Sequence, residues 1–174
     1  KIGLVGEHPN DTDAVNVLLE RLFPGKHEYI TLLRGQRGSM LDNPKTKSLL
    51  AKEYSFEKPD GVIYIRDLDG LPSDKEMIWE RKNYFRSFRK VTGHVINKKR
   101  ENRNCILFLH IWQIEALLFA DVAPVNTMFN TNFTEVADPM WLEKPKSILQ
   151  SKCTYVEKDC AELLSTIDLG KIAA

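Results

Sequence analysis

The stretch "GVIYIRDLDGLPSD", residues 61–74, decides the fold. Val62, Ile63, Tyr64 and Ile65 form a short apolar run bounded by turn residues, the pattern of a buried strand. The run leads into Asp67 and Asp69, spaced one residue apart, and then into Gly70 and Pro72. Side chains at i and i+2 leave a strand on the same side, so the pattern aims both carboxylates at one point. Like charges that close repel, and burial raises the cost. The pair needs a counter-charge, and a divalent cation is the obvious one.

Outward from this stretch, strands and helices alternate. "KIGLV" reads as a first buried strand ending at Gly6-Glu7. "NDTDAVNVLLERLFPG" predicts a helix capped by Asp11 or Thr12, with Val15, Leu18, Leu19 and Leu22 at helical spacing and Pro24-Gly25 as its stop. "EYITLL" predicts a second strand, and a helix follows over about residues 44–54. After the third strand, Ser73 and Glu76 form an S-x-x-E capping box that opens a helix through roughly Lys90. "NCILFLHI" reads as a fourth strand, "WQIEALLFAD" as a helix apolar on nearly every side and hence buried, and "KDCAELLSTI" as a last helix. The alternation predicts a single α/β domain over 1–174 with a mostly parallel central sheet of about four strands, covered on both faces by helices in a three-layer, Rossmann-like arrangement.

The composition fits an ordinary globular protein: of 174 residues, 43% are hydrophobic and 28% charged, enough for one substantial core. The net charge of +1 is unevenly spread. Nine Lys/Arg and one acid lie between Arg81 and Arg103, a local +8 that leaves −7 over the rest. An acidic body with one basic segment suits a polyanionic partner. Cys105, Cys153 and Cys160 form no CxxC pair, which predicts a reducing, cytoplasmic setting and offers no zinc site; Cys105 reads as a small core residue. The apolar runs are too short for a membrane span.

Ligands of a parallel sheet bind beyond the carboxyl ends of its strands. Glu7 follows strand one, and Asp67 and Asp69 end strand three. With those strands side by side, Glu7 completes a three-carboxylate cluster suited to Mg²⁺ or Mn²⁺. The plain alternative is a solvated turn after a strand.

"LVGEHPNDTDAVNVLL" followed by "GVIYIRDLDG" resembles the Toprim fold, whose signature is a glutamate after the first strand and Asp-x-Asp after the third. More closely, the chain resembles the uncharacterised Toprim-like group called domain of unknown function 4276. Glu7 to Asp11 is similar to that group's E-G-x-T-D start, "HIWQIEALLFAD" (110–121) to its "EIEAWLLAD" segment, and residues 144–169 to its "NPK…IDL" tail. The likeness runs over nearly the whole chain in order. His8 stands where the group usually has glycine, which either crowds the metal loop or adds a ligand. The chain stops at Ala174, about where the group continues into a Ser/Phe-containing segment, so the resemblance implies a fold lacking its last short element.

The fold's relatives include topoisomerases, primases and the OLD-type nucleases associated with defence against phage. The resemblance therefore implies a Mg²⁺- or Mn²⁺-dependent nuclease or related phosphodiester-processing enzyme, with a nucleic acid as substrate and an ATPase as a partner. In it Glu7 would be metal ligand or general acid/base, Asp67 and Asp69 metal ligands, and Asp11 an outer carboxylate or ligand of a second metal. Glu115 has two readings, an acid facing the site or a carboxylate paired with Arg or Lys inside the fold, since isolated buried charge is costly.

Further cations have double readings. In "LRGQRGS" (33–39), Arg34 and Arg37 either clamp phosphate or decorate a flexible turn. In the basic segment, Lys98, Lys99 and Arg100 either track a phosphate backbone or form a wet face. Tyr84 and Phe88, with Met77 and Val91, read as the core stripe of an amphipathic helix. His27, His94 and His110 show no ligand spacing and read as structural. Two other functions stand beside the nuclease. One is a non-catalytic nucleic-acid-binding module with a decayed site. The other is a phosphatase of the haloacid-dehalogenase kind, since "IRDLDG" resembles that family's D-x-D-G motif, although that motif normally follows the first strand.

Overall fold

The computed structural model describes residues 1–36, 43–70, 73–97 and 101–172. Strands β1 (Ile2–Val5), β2 (Tyr29–Thr31), β3 (Gly61–Asp67) and β4 (Cys105–His110) form a wholly parallel sheet in the order β2-β1-β3-β4. The first and third strands lie side by side, the condition for bringing Glu7 near Asp67, with Leu4 opposite Ile63 and Val5 opposite Tyr64.

Alternation along the strands builds a core on each face. Leu4, Ile63 and Ile65 face one side. There they pack with α1 (Pro9–Leu22), α6 (Asp159–Thr166) and a buried 3-10 helix, Ile114–Phe119. Val5, Val62 and Tyr64 face the other side, against α2 (Pro44–Glu57) and α3 (Lys75–Asn97). The chain is thus a three-layer α/β fold. The short helices α4 (Ala123–Phe129), α5 (Pro145–Lys152) and α7 (Leu169–Ile172) complete the α1 side. Arg21 ties α1 to the end of α6 by donating to the carbonyls of Leu164 (2.5 Å) and Ile167 (2.7 Å). Among the described residues no helix is long and apolar enough to cross a membrane.

Several local expectations change. The cap of α1 is His8, neither Asp11 nor Thr12: its Nδ1 accepts from Asn10 N at 3.3 Å, and Pro9 takes the first helical position, where no N–H is needed. Thr12 instead donates its hydroxyl to His8 O at 3.1 Å. The capping role expected of Ser73 belongs to Asp74, whose Oδ1 accepts from Glu76 N and Met77 N.

Helix α3 also runs on to Asn97. It can do so because the incoming segment before β4 crosses it at Gly93, where an added Cβ would lie 2.5 Å from the backbone at residues 101 and 102. The "IEALLF" helix is buried throughout, as its composition implies. It takes the tighter 3-10 form over six residues and yields to α4, which begins at Ala123 with Pro124 in its first turn.

Candidate functional site

The carboxyl end of the sheet gathers acids from separate elements. Asp67 is the last residue of β3. By alternation after Ile63 and Ile65 it faces the α1 side, where Asp11 sits in the first turn of α1 and Glu115 in the 3-10 helix. These side chains feel one another. Burial first, then the charges of Asp11, Glu7, Asp69 and Glu115, push the Asp67 carboxyl up to about 9. Burial, followed by Glu115, Glu7 and Glu157, pushes Asp11 up to about 7. A carboxyl this far above its usual range sits in a place that resists bare negative charge.

Glu7 and Asp69 stand on the opposite flank and have arginines. Arg66, the residue before Asp67, faces the α3 side and is 3% exposed. Its Nε is 2.5 Å from Glu7 Oε1, a charge contact outside hydrogen-bond geometry. Its guanidinium lies over the rings of Tyr64 (5.8 Å) and Tyr84 (5.7 Å). Arg81 of α3 donates to the carbonyl of Asp67 at 2.9 Å and stands 3.9 Å from Asp69 Oδ2. Burial still raises the Glu7 carboxyl, against the opposing pull of Arg66 and Arg81.

The i, i+2 argument therefore covers only part of the D-x-D pair. β3 ends at Asp67, and Asp69 takes a left-handed conformation (φ 55°) with its side chain half exposed on the rim. The strand alternation no longer governs where it points. Among the described residues, no three His, Cys, Asp or Glu side chains already stand in an arrangement that could hold a metal ion.

Glu115 has the internal partner that a buried carboxylate requires, but it is a phenol: Tyr155 donates to its Oε1 at 3.1 Å. Burial raises its carboxyl, opposed by its backbone hydrogen bond, Lys146 and Tyr155. Its hydrogen-bond partner is thus neither Arg nor Lys, and its charge also raises Asp67 and Asp11.

Three residues of this region were not singled out from the sequence. Arg66 lies inside the quoted "GVIYIRDLDG" and carried no reading of its own. Lys146 and Glu157 lie in the irregular C-terminal third, where Lys146 Nζ donates to Glu157 Oε1 at 2.8 Å, holding that carboxyl below its usual range. His8 Nδ1 is 3.7 Å from Glu157 Oε2. The only sequence signal for Lys146 was the "KPK" start of the C-terminal likeness.

The expected phosphate contacts are less gathered. Arg34 is 72% exposed and 4.0 Å from Asp13, whereas Arg37, Lys98, Lys99 and Arg100 lie outside the described residues. Within the basic segment, Arg86 and Arg89 each stand 3.4 Å from Glu101. Phe88 is core, stacked on Tyr64 with centroids 4.7 Å apart, and Phe85 stacks on the same ring at 6.1 Å. His110, at the end of β4, is 1% exposed, and burial pushes it down to about 4, so the ring is neutral at pH 7.

The donor chemistry fits a hard divalent cation. Asp67, Asp11, Glu115 and Glu7 supply carboxylate oxygens, the donor type of such an ion, while Arg66 and Arg81 stand with Glu7 and Asp69, and Lys146, paired with Glu157, also feels the charges of Glu115 and Asp11. No protein-family model, no curated protein and no solved structure matches the chain.

Proposed function

We propose that the chain is a Mg²⁺- or Mn²⁺-dependent phosphodiester-processing enzyme, a nuclease in the first instance, acting on nucleic acid in the cytoplasm. The observation that carries this reading is the convergence of Asp67, Asp11 and Glu115, with Glu7 at their flank, from four different segments at the carboxyl edge of one parallel sheet. That edge is where such sheets bind ligands. Acids raised by burial and by neighbouring carboxylates are groups that a divalent cation would hold ionised. The likeness to Toprim sequences supports the same assignment and extends it to an ATPase partner and a place in phage defence.

Asp67 and Asp11 would hold the cation, with Glu7 joining once it turns from Arg66. A bound Mg²⁺ or Mn²⁺ polarises a phosphoryl oxygen and lowers the pKa of attacking water. The chain itself orients this centre. Arg81 fixes the Asp67 backbone through its carbonyl and brings positive charge beside Asp69 at the rim. Tyr155 holds Glu115, and Lys146 holds Glu157. Cleavage would form a bond from water oxygen to phosphorus and break the bond to the leaving oxygen, which takes up a proton.

The experiment is incubation of the chain with plasmid, single-stranded DNA and tRNA, with Mn²⁺ and with chelator. Metal-dependent cleavage that disappears in a folded Asp67→Ala variant is expected; no cleavage of any substrate, with the ATPase partner supplied, overturns the nuclease. One observation favours a non-catalytic binding module instead. Arg66 and Arg81 already occupy the places beside Glu7 and Asp69 where a cation would compete. A module of this kind binds nucleic acid without cutting it.

A further inference from the structure

His110 occupies an unusual place. It is the last residue of β4 and lies directly opposite Asp67 of β3 in the parallel register. Paired residues of neighbouring strands point to the same sheet face, about 5 Å apart. The ring's own contact agrees: it meets Phe108, two residues earlier on that face, edge-on at 4.6 Å. The imidazole therefore stands beside Asp67 on the face that also carries Asp11 and Glu115.

It is 1% exposed, and among the described residues neither Nδ1 nor Nε2 has a hydrogen-bond partner. Leaving a buried polar atom without a partner costs about 1–3 kcal/mol, and such an atom in a folded protein calls for an explanation, among them a bound water or ion, strain or a catalytic role. The edge-on contact with Phe108 accounts for neither nitrogen.

We propose that His110 is a nitrogen ligand of the divalent cation at Asp67, so that the site selects a transition-metal ion such as Mn²⁺, Co²⁺ or Zn²⁺ over Mg²⁺. This rests on the cation-site reading of the carboxylate cluster. Carboxylates alone suit Mg²⁺, Ca²⁺ and Mn²⁺, whereas one imidazole shifts preference along the transition series. Neither ring nitrogen is committed to a hydrogen bond among the described residues.

Pulsed EPR of Mn²⁺ bound to the protein reads the ligand atoms directly. Nitrogen coupling that changes when histidine is labelled with ¹⁵N, persists in His8→Asn and vanishes in His110→Leu is the expected result. Affinity for Mn²⁺ and Co²⁺ should fall about tenfold or more in His110→Leu, the loss that even an outer-sphere partner causes, while affinity for Mg²⁺ barely moves. His110→Gln serves as a second variant should leucine disturb folding. Bound Mn²⁺ with oxygen coupling alone in the unaltered protein, or nitrogen coupling that survives loss of His110, overturns this inference and leaves the carboxylate site standing. Failure to bind any divalent cation overturns both.

Discussion

Arg66 Nε stands 2.5 Å from Glu7 Oε1, joining the penultimate residue of β3 to the turn after β1 beneath the rings of Tyr64 and Tyr84. The guanidinium is 4% exposed and the carboxylate 20%. This contact supplies part of the counter-charge that an acidic sheet edge requires. It also splits the acids into a flank met by arginine and an inner group, Asp67 and Asp11, raised by burial and by neighbouring carboxylates.

Breaking the pair should be expensive. Removing one partner of a fully buried ion pair costs about 3–5 kcal/mol. Glu7 keeps some contact with water, so Arg66→Met should cost roughly 2–3 kcal/mol. The double variant Arg66→Met/Glu7→Gln should recover much of that loss in urea unfolding. A double variant no more stable than Arg66→Met would show that Arg66 acts through its aromatic contacts instead.

The raised acids set the pH dependence of stability. Unfolded aspartates titrate near about 3.9, whereas Asp67 is pushed up to about 9 and Asp11 to about 7 in the fold. Between those limits the folded chain holds protons that the unfolded chain has lost. Stability is therefore greatest below the unfolded value and falls as pH rises through 7 towards 9, by up to about 1.4 kcal/mol per pH unit for each whole proton. In chelator, the urea midpoint should decline from pH 5 to pH 9, and Mn²⁺ should flatten that decline. A midpoint that rises over this range without metal would contradict the assignment.

Much of this architecture is legible in the sequence, for identifiable reasons. β1, β3 and β4 are short apolar runs closed by turn residues, and a parallel sheet needs such two-sided burial. Glu7 and Asp67 are legible because each stands at the end of a strand, Glu115 because it is an acid on an otherwise apolar helix, and Asp11 only through the family resemblance. Arg66 is not. A cation inside a strand looks like a solvent residue until β3 proves long enough to aim it back at Tyr64. Asp69 misleads because the strand ends two residues before it, at Asp67, and the left-handed turn that redirects it leaves no mark in the pattern. Lys146 and Glu157 meet the site only through tertiary packing of α5 and the segment after it.

The basic segment makes a separate prediction. Each phosphate neutralised on duplex DNA adds about 0.9 to the slope of log affinity against log salt. Replacing Lys98, Lys99 and Arg100 by Ala should lower that slope by roughly 2–3 and weaken binding across sequences. A slope unchanged from the unaltered chain would assign those cations to a solvated face.

The most direct test of the carboxylate centre is calorimetric titration of metal-free protein with Mn²⁺ at pH 7, in buffers of different ionisation enthalpy. Asp67 and Asp11, raised to about 9 and about 7, carry protons at that pH that a bound cation must displace. Binding accompanied by proton release is expected, with both lost in Asp67→Asn and weakened in Glu7→Gln. Binding unchanged in both variants, or no binding in the unaltered protein, would contradict it.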